Sequence, residues 1–418
     1  MRLFRGLKKR ATDAHYLVLD IGTDSVKALV CLVDGKRVRV LGAGTKRQKV
    51  GDMDHGVVTD LAAVIDNCHA AIKYAENMAG IHTHRMIMGI SGESVKGATT
   101  NISYMRSDET SKIDLAELKN IVHKVQWRAF ERVRAQLAEE TGYNEIDVKL
   151  IAADIVDVKI DGYRLKNPIG FQGKEVSLSV FNAFAPLVHY GALQTIAAEI
   201  DKELLAITSE PYALSRCLEG GNHEEDTDAV FVDVGGGITD VVVVKDGVLK
   251  GTKMFTVGGQ TFTKRLSQSL NISFGEADEI KLAYSNDILE RQSRKIVQEA
   301  MKLDADVWLS GMALTLEEFD NMDVLPPRII LSGRAANLPE LRLSLESREW
   351  VQSLPFVKKP QISFFSPKMV PKLIDDTKTL NDHGYAMAMG LAVLGMGLVS
   401  EDQVLSKVLK KVVRLMNV

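Results

Sequence analysis

The chain has few cysteines, few aromatic residues and little net charge. Its 418 residues include three cysteines and 6% aromatic residues, and the formal net charge is −3 at pH 7. Cys31, Cys68 and Cys217 are too few and too widely spaced for a disulfide framework, which fits a reducing cytoplasm. A charge near zero gives no overall attraction to nucleic acid, so we expect no nucleic-acid partner.

A long hydrophobic run is also missing. No stretch of about 18 apolar residues occurs, so the sequence predicts no transmembrane helix. The basic first segment, MRLFRGLKKR, is followed by an Asp-containing strand pattern and not by the apolar region of a signal peptide. We therefore expect a cytoplasmic protein, with two or three domains by length. The basic segment is interpreted as a solvated tail, and contact with a membrane surface is the alternative.

Residues 230–244, VFVDVGGGITDVVVV, form the clearest motif. Apolar residues lead into an aspartate and three glycines, and a second valine run leaves the turn, which predicts a buried β-hairpin. Gly235, Gly236 and Gly237 have no side chains, so they can bring backbone N–H groups close to an anion. Asp233 places a carboxylate where a phosphate-bound Mg²⁺ needs one. The motif therefore indicates a phosphate site.

An earlier stretch repeats this motif. Residues 17–35 read LVLDIGTDSVKALVCLVDG, and residues 231–247 read FVDVGGGITDVVVVKDG. Asp20 and Asp233 are 213 residues apart (233 − 20), and both lie between an apolar strand and a glycine turn. The repeat predicts two similar halves that each present one glycine-tipped hairpin to a shared nucleotide. Two ordinary Asp-Gly hairpins are the alternative, which leaves a buried aspartate unexplained in both copies.

With three further motifs, the chain resembles the actin-like ATPase superfamily, and within it the FtsA family of bacterial cell-division proteins. The five motifs, in chain order, are Asp20-Ile-Gly22-Thr23 with Lys27, Ser209-Glu210-Pro211, residues 233–239, residues 329–336 and residues 384–390. They are similar to the first phosphate motif, the first connecting motif, the second phosphate motif, the adenosine loop and the second connecting helix. The resemblance implies an α/β fold of two lobes with duplicated mixed-sheet cores, an insert in the first lobe and a C-terminal amphipathic helix.

The resemblance also implies a site for ATP and Mg²⁺ with slow hydrolysis at most. Asp20 and Asp233 are expected to hold Mg²⁺, mainly through water, and Glu210 to orient the water that attacks the γ-phosphate. A glutamate that only stabilises a helix start is the alternative for Glu210. The expected nucleotide-binding residues are Gly22, Thr23, Asp24, Lys27, Gly235, Gly236, Gly237, Thr239, Asp278, Lys281, Gly333, Arg334 and Asn337.

Two of these residues depart from the family pattern. Asp278 stands where the family usually has glutamate in the pair that holds ribose, although its spacing from Lys281 keeps both side chains on one helical face. Arg334 stands where the adenosine loop usually has a second glycine, and an arginine does not permit the same close backbone approach. The shorter side chain of Asp278 bears on the length of the ribose contact, and Arg334 bears on nucleotide affinity or base selectivity.

The resemblance divides the chain into seven segments. They are 14–84 (first-lobe core 1A), 85–175 (the insert, of the type called 1C in this family), 176–218 (1A, second part), 219–259 (second-lobe core 2A), 260–310 (2B-type subdomain), 311–397 (2A, second part) and 398–418 (membrane-targeting tail). Within the 2B-type segment, a stripe at helical spacing is predicted to be buried: Ile296, Ala300, Leu303 and Val307. Arg291, Arg294, Lys295 and Lys302 occupy the other side, as a solvated face or as a docking patch for an acidic partner tail.

The tail has one apolar and one cationic face. Ser400 and Gln403 have the spacing of a capping box at its start. Its expected membrane-contacting residues are Val404, Leu405, Lys407, Val408, Leu409, Lys410, Lys411, Val412, Val413, Arg414 and Met416. This composition is typical of an interfacial anchor on an anionic membrane. A helix docked on the protein's own body is the alternative, favoured by the short separation between tail and body.

We interpret the chain as an ATP-binding, actin-like cell-division protein that polymerises at the inner face of the cell membrane and anchors the FtsZ ring. The implied partners are the FtsZ C-terminal peptide at the 2B-type subdomain, further copies of the chain in filaments, other division proteins at the 1C-type insert, and the membrane. A PilM-like, non-polymerising scaffold and a sugar kinase are the alternatives. The C-terminal stripe argues against the first, and the insert and the lack of a sugar-site constellation argue against the second.

Overall fold

The structure is a computed structural model, and it describes residues 14–142, 146–218, 227–319, 322–347 and 349–400. Two large β-sheets form the body of this part of the chain, and helices cover and separate them. The helices are α1 (Leu61–Ala79), α2 (Leu115–Thr141), α3 (Leu187–Glu199), α4 (Glu210–Ser215), α5 (Gly259–Leu270), α6 (Phe274–Ser285), α7 (Arg291–Glu317), α8 (Pro339–Glu346) and α9 (Ala386–Ser400).

The first sheet builds the first lobe. Its strands are β1 (His15–Ile21), β2 (Ser25–Asp34), β3 (Arg37–Arg47), β6 (Arg85–Ile90), β11 (Glu203–Ser209) and β17 (Leu373–Asp375). Their order across the sheet is β11-β6-β1-β2-β3-β17, in which β2 is antiparallel to both neighbours and the other pairs are parallel. The short strands β4 (Met53–Asp54) and β5 (Val57–Val58) pair separately. The central strand β1 is buried along nearly its whole length, which explains its continuous apolar run.

The second sheet joins the second lobe to the insert, in the order β16-β15-β12-β13-β14-β7-β10-β8-β9. The second-lobe strands are β12 (Ala229–Val234), β13 (Thr239–Lys245), β14 (Val248–Phe255), β15 (Arg328–Ser332) and β16 (Gln361–Phe364). The insert's strands are β7 (Lys96–Met105), β8 (Val148–Ile160), β9 (Tyr163–Arg164) and β10 (Glu175–Pro186). Strands β14 and β7 are antiparallel neighbours, so the two parts share one continuous sheet.

The two lobes share one strand order. The series β3-β2-β1-β6-β11 in the first lobe and β14-β13-β12-β15-β16 in the second have the same order and the same pairing directions. In each lobe the central hairpin, β1–β2 or β12–β13, carries the aspartate of the repeated motif. The repeat in the sequence therefore corresponds to a duplicated core, and the predicted two-lobed fold is confirmed.

Strand pairing places the boundaries of the insert differently from the sequence prediction. Strand β6 begins at Arg85 but pairs with β1 and β11, so it belongs to the first-lobe sheet. Strand β10 pairs with β7 and β8 as far as Pro186, so the insert's sheet continues past residue 175. Helix α7 likewise runs through the predicted boundary at 310. An alternating apolar pattern identifies a strand, but the pattern does not specify which neighbour the strand pairs with.

Helices α4 and α9 lie between the two sheets and share one hydrophobic core with both of them. Gly390 of α9 permits a close approach, because a Cβ atom there would lie 2.4 Å from the carbonyl oxygen of Ala213 in α4. The Tyr16 hydroxyl on β1 donates a hydrogen bond of 2.5 Å to the carbonyl oxygen of Ala392. These contacts connect the two lobes through tightly packed helices.

Helix boundaries follow the signals in the sequence. Helix α1 begins after Asp60, whose carboxylate accepts the amide of Ala63 at 3.0 Å, and it ends at Gly80 in the left-handed conformation. Helix α2 begins after Asp114, whose carboxylate accepts the amide of Glu117 at 2.8 Å. Side-chain caps of this kind satisfy amides that have no partner within the helix.

Helix α7 buries a different face from the predicted one. Its core-facing residues include Val297, Met301, Ala305, Trp308 and Met312. In the predicted stripe Ile296, Leu303 and Val307 are 48%, 66% and 57% exposed, and Ala300 is half-buried. The prediction of a buried stripe was wrong because apolar residues occupy two faces of this helix, and the tertiary packing selects one of them.

Most of the predicted tail lies outside the described residues. Leu398 and Val399 pack against the first-lobe core as part of α9, so the described portion of the segment 398–418 belongs to the body. The amphipathic pattern over 401–418 stays a prediction. No helix within the described ranges is long and apolar enough to cross a membrane.

Glu76 of α1 provides a test of the first-lobe packing. Its Oε1 accepts from Lys202 Nζ at 2.8 Å and from the backbone amide of Thr83 at 2.9 Å. Burial raises the pKa of Glu76, but the Lys202 ammonium and the Thr83 and His82 donors outweigh this and lower it from 4.5 to about 2. A carboxyl with a lowered pKa stabilises the fold above its unfolded value, and this contribution disappears as the pH falls through its folded value.

We predict that Lys202→Met lowers the free energy of unfolding at pH 7 by about 2 kcal/mol, since a charge-assisted hydrogen bond is lost. The difference from the parent should shrink as the pH falls from about 4.5 to about 2. Denaturant unfolding at several pH values measures this difference in the free energy of unfolding. Lys253→Met, which removes an exposed pair with Glu318, is the control and should cost less than about 1 kcal/mol. A Lys202→Met effect that stays constant with pH would contradict the assignment.

Candidate functional site

A cleft of about 350 Å³ lies between the two lobes, at the tips of the two aspartate hairpins. Fourteen of the residues predicted from the sequence line it: Asp20, Gly22, Thr23, Asp24, Lys27, Glu210, Asp233, Gly235, Gly236, Asp278, Lys281, Gly333, Arg334 and Asn337. They come from strands, turns and helices distributed over more than 300 positions of the chain (337 − 20 = 317). The fold therefore assembles these predicted residues into one site.

The two hairpin turns have the same internal hydrogen bond. The Gly22 amide donates to the carbonyl of Ser25 at 3.2 Å, and the Gly235 amide donates to the carbonyl of Ile238 at 2.9 Å. The tips also touch, because a Cβ atom at Gly236 would lie 3.1 Å from the Cβ and the backbone nitrogen of Asp24. A side chain at 236 would therefore press against Asp24 of the first lobe, and one of the two tips would have to shift by a few tenths of an ångström. The amides of Gly22 and Gly235 are already used in closing the turns.

Two predicted phosphate ligands lie away from the cleft lining. The Thr239 hydroxyl donates to the carbonyl of Val257 at 2.6 Å and accepts from the Trp308 indole at 3.0 Å, and the residue is fully buried. Gly237 lies against the backbone of His55, at 3.1 Å from an ideal Cβ to the His55 Cα. The structure does not bring either residue to the site, since one supports the core and the other supports the contact between the lobes.

Asp20 and Lys27 are cross-strand partners in the first hairpin, with 3.0 Å between Lys27 Nζ and Asp20 Oδ2. Burial lowers the pKa of Lys27, but the charge of Asp20 outweighs this and raises it. Burial raises the pKa of Asp233 to about 6, although Ser332 and Lys27 act in the opposite direction. The Asp233 carboxyl at the base of the cleft is therefore harder to ionise than a solvent-exposed carboxyl.

Glu210 is the first residue of α4 and points toward these carboxylates. Ser209 caps the helix, and Pro211 occupies its first turn, where a proline needs no backbone N–H partner. Burial, followed by the charge of Asp20, raises the pKa of Glu210 well above its usual value. Its buried Oε1 atom has no hydrogen-bond partner among the described residues. Gly89 makes room for it, because a Cβ atom at 89 would lie 2.3 Å from that oxygen.

Asp240 is a residue of the cleft that the sequence interpretation missed. It faces Asp233 across the second hairpin, at the position that Lys27 has in the first, and the same offset of 213 (240 − 27) relates the two. Its Oδ2 accepts from the Ser91 hydroxyl at 3.0 Å. Burial and the charge of Asp233 raise the pKa of Asp240 to about 8. The internal repeat could have identified Asp240, because aligning the two hairpin sequences places it at the position equivalent to Lys27.

Asp278 and Lys281 form the predicted pair on α6. Lys281 Nζ lies 2.7 Å from Asp278 Oδ1 and also donates to the Thr263 hydroxyl at 2.6 Å. Burial raises the pKa of Asp278, but Lys281 and Arg47 outweigh this and lower it. The pair is therefore a fixed charged group on the wall of the cleft.

Arg47, at the end of β3, is a second missed residue. Its Nη2 lies 2.6 Å from Asp278 Oδ2 in the second lobe and 3.2 Å from Asp24 Oδ1 in the first. Arg334 of the second lobe approaches Asp24 from the other side, at 3.5 Å. Arg334, Asp24, Arg47 and Asp278 thus form a chain of alternating charges across the mouth of the cleft. No sequence motif indicates this contact, because it depends on the approach of the two lobes.

The loop that is predicted to bind adenosine follows β15 and contains Gly333 with φ of +81°. A Cβ atom at Gly333 would lie 2.3 Å from the carbonyl oxygen of Val234, so only glycine fits between β15 and the second hairpin. Arg334 lies against Gly384, where a Cβ atom would be 3.0 Å from the arginine Cγ. Asn337 Oδ1 is 3.0 Å from His383 Nε2, which holds the end of the loop.

The described residues contain no cluster of three or more His, Cys, Asp and Glu side chains arranged to hold a metal ion. Asp20 and Asp233 are present on the two facing hairpins, as the sequence predicts, and both line the cleft.

Comparisons with known proteins agree with this geometry. The family model described as cell division protein FtsA matches residues 230–390. The chain is 25% identical over 351 residues to the cell division protein FtsA of Enterococcus faecalis, covering 79% of this chain and 75% of that protein. It is 24% identical over 350 residues to FtsA of Pseudomonas aeruginosa, covering 77% of each. A solved PilM-PilN type IV pilus biogenesis complex has a TM-score of 0.63 at 18% identity, covering 91% of this chain and 98% of that chain.

The duplicated sheets, the facing glycine-tipped hairpins and the two connecting helices define the class: this chain has the actin-like ATPase fold. Within that class its sequence is similar to the cell division protein FtsA, so the resemblance carried by the five motifs is confirmed. The likeness to the PilM complex, at 18% identity, concerns the fold alone.

The Arg47 contact leads to a prediction about the opening of the cleft. Arg47→Ala removes the link between Asp24 and Asp278, so the open arrangement of the lobes should become more populated. A partly exposed ion pair is worth up to about 1 kcal/mol, which corresponds to an increase of up to about fivefold. Spin labels at Lys46→Cys and Glu279→Cys report the distance between the lobes, and the distance distribution should broaden toward longer values.

Arg39→Ala is the matched control for this measurement. Arg39 lies on the same strand and forms a similar pair with Asp376 at 2.8 Å, but both partners belong to the first lobe. The native cysteines are buried and should not react with the label. If both variants gave the distance distribution of the parent, Arg47 would not restrain the cleft.

Proposed function

We propose that this chain is an ATP-binding, actin-like cell-division protein that self-associates into filaments at the inner face of the cell membrane and anchors the FtsZ ring there. The observation that carries the proposal is the FtsA match over residues 230–390, which contains the second phosphate hairpin, the Asp278–Lys281 pair and the adenosine loop. All three line the cleft between the lobes.

The cleft fits a nucleoside triphosphate. Its volume of about 350 Å³ is within the range of small-molecule sites. Gly22 and Gly236 leave the hairpin tips without side chains, so phosphate oxygens can come close to the backbone there. The amides of Gly22 and Gly235 close the turns, so the donors to phosphate would be other amides of the tips. Asp278 offers a carboxylate to ribose hydroxyl groups, and Arg334 lies where it can flank the base. Binding of ATP therefore explains why these groups line one cavity.

A divalent cation suits the base of the cleft for an electrostatic reason. Four carboxyl groups line the cleft: Asp20, Glu210 and Asp240 are buried, and Asp233 is half-buried. Burial raises the pKa of Glu210, Asp233 and Asp240. Asp20 and Asp233 would hold Mg²⁺, mainly through water, and the ion would supply positive charge to the phosphates. Glu210 would orient a water molecule through its unpartnered Oε1. Any hydrolysis is expected to be slow.

We predict that Mg²⁺ increases the affinity of the parent for ATP and that Asp233→Asn loses most of this increase. The substitution keeps the shape and removes the charge, so at least about a tenfold loss is expected, or about 1.4 kcal/mol. Calorimetric titration with ATP, with and without Mg²⁺, measures it. Asp246→Asn, in the exposed turn after β13, is the control and should behave as the parent. A parent that binds no ATP contradicts nucleotide binding, whereas an unchanged Mg²⁺ effect in Asp233→Asn contradicts only the role of Asp233.

The 2B-type segment, 260–310, is our proposed site for the FtsZ C-terminal peptide. Arg291, Lys295 and Lys302 are exposed near the start of α7, and exposed cations attract an acidic peptide. A purely solvated face is the alternative. The insert, with its own small hydrophobic cores, is proposed to contact other division proteins.

The tail is proposed to bring the protein to an anionic membrane. Seven apolar side chains, Val404, Leu405, Val408, Leu409, Val412, Val413 and Met416, alternate with four cations. A fully buried apolar side chain is worth about 1.5 kcal/mol or more, and a cation near an anionic leaflet about 1 kcal/mol. Ordering the segment and its shallow insertion offset much of this gain, so one copy should bind reversibly. A filament that displays many tails would bind more tightly.

Truncation after Ser400 should therefore release the protein from anionic liposomes and leave ATP binding intact. Leu409→Glu should lower the pelleted fraction nearly as much, because it places a charge in the apolar stripe. Ser406→Glu adds the same charge outside the stripe and should lower it much less. Sedimentation with liposomes measures all three. A truncated protein that still pelleted, or that lost several kcal/mol of stability, would indicate a tail docked on the body.

A PilM-like scaffold is the second candidate, favoured by the TM-score of 0.63 to the PilM-PilN complex over nearly all of that chain. A scaffold recruited through another protein would not need residues 401–418 for membrane association. The truncation therefore also separates the two candidates.

A further inference from the structure

The exposed apolar stripe of α7 is longer than the sequence interpretation indicated. It continues from Ile296 to Leu314, and Leu314 is 62% exposed, like Leu303 at 66% and Val307 at 57%. We define the α7 seam as Ile296, Ala300, Leu303, Val307, Ser310 and Leu314. These positions alternate in steps of four and three, which is the spacing of a helix-pairing surface. The seam runs roughly 27 Å along the helix, at about 1.5 Å per residue.

The seam is self-complementary when two copies run in opposite directions. Its members are symmetric about Ala305: Ile296 corresponds to Leu314, Ala300 to Ser310, and Leu303 to Val307. An antiparallel pair therefore places large side chains opposite large ones at the centre and the ends. The small pair between them, Ala300 and Ser310, lets the helices approach closely.

The charges of α7 favour the same orientation. Before Ala305 the helix has the cations Arg291, Arg294, Lys295 and Lys302 and the acids Glu299 and Asp304; after it come Asp306, Glu317 and the capping residue Glu318, with no cation. An antiparallel pair brings the basic half of one helix near the acidic half of the other, whereas a parallel pair brings like halves together. The second half alone cannot attract an acidic peptide.

We propose that α7 pairs with α7 of a second copy of this chain, in an antiparallel arrangement centred on Ala305. The pair is closed by a twofold axis, because the same surface is used on both partners. It would therefore join two copies side by side and would not by itself extend a filament. The proposal does not depend on nucleotide binding, so it is tested on the full chain without nucleotide.

The first test is the oligomeric state by analytical ultracentrifugation. A single helix pair is a small interface, so we expect a monomer–dimer equilibrium with a dissociation constant in roughly the micromolar range. Leu303→Glu should raise this constant by about 100-fold or more, since it places like charges at the centre of the seam. Val188→Glu is the control, because Val188 is 83% exposed on another surface, and it should change the constant less than about twofold. An unchanged melting temperature in both variants shows that the fold is kept.

The second test determines the orientation. In the antiparallel pair residue 303 faces residue 307 of the partner, and two copies of residue 303 are offset by about 6 Å along the helix axis. A mixture of Leu303→Cys and Val307→Cys proteins should therefore form a disulfide-linked heterodimer, and either protein alone should form much less. The native cysteines are buried and should not compete.

Three results would overturn the proposal. The first is a parent protein that stays monomeric up to about 100 µM, which is well above the expected range of the dissociation constant. The second is a Leu303→Glu variant that dimerises as strongly as the parent. The third is stronger crosslinking of Leu303→Cys to itself than to Val307→Cys. The pair uses the same cations of α7 as the acidic-peptide site proposed above, so we expect the peptide and the second copy to compete. An acidic peptide or anionic vesicles that bind a parent that does not dimerise, and that do not bind Leu303→Glu, would assign the seam to that other ligand.

Discussion

The base of the cleft contains four carboxyl groups, and the rest of the cleft depends on this concentration of acids. Asp20, Glu210 and Asp240 are buried, Asp233 is half-buried, and Lys27 forms an ion pair with Asp20. Burial alone disfavours ionisation, and each nearby carboxylate adds to the effect. Holding four carboxyl groups away from water lowers the free energy of unfolding, so selection for stability alone does not explain them. They become understandable at a site that receives a cation and phosphates, since these ligands supply the missing partners.

The two lobes meet through small residues and through charged ones, and the two kinds of contact differ in strength. Gly390 against Ala213 and Gly236 against Asp24 are close backbone contacts, which leave little freedom at the connecting helices and at the hairpin tips. The chain from Arg334 through Asp24 and Arg47 to Asp278 is partly exposed, so it can rearrange at modest cost. The lobes are therefore held by close packing at the connecting helices and by partly exposed ion pairs at the mouth of the cleft.

Much of the cleft follows from the repeated hairpin. An aspartate before a glycine turn, found twice, predicts two facing hairpins, and the structure has both. Glu210 before Pro211 predicts a carboxylate at a helix start, and Asp278 with Lys281 predicts a pair on one helical face. These structural predictions agree with the structure because each of them depends on a few residues that are neighbours in the sequence. Thr239 lies outside the cleft lining, because a hydroxyl beside a glycine turn can also point into the core. In this structure the Thr239 hydroxyl bonds to Val257 and Trp308.

The duplicated halves, the hairpin turns and the starts of α1 and α2 can be predicted from the amino-acid sequence, because strand periodicity, glycine turns and caps are local properties. Tertiary packing sets which strands pair at the edges of the insert, the contact of Arg47 with Asp278, and the face of α7 that is buried. Helix α7 has apolar residues on two faces, and the position of Trp308 in the second-lobe core leaves Leu303 outside. These features depend on packing between segments that are far apart in the chain, so a local sequence pattern does not predict them.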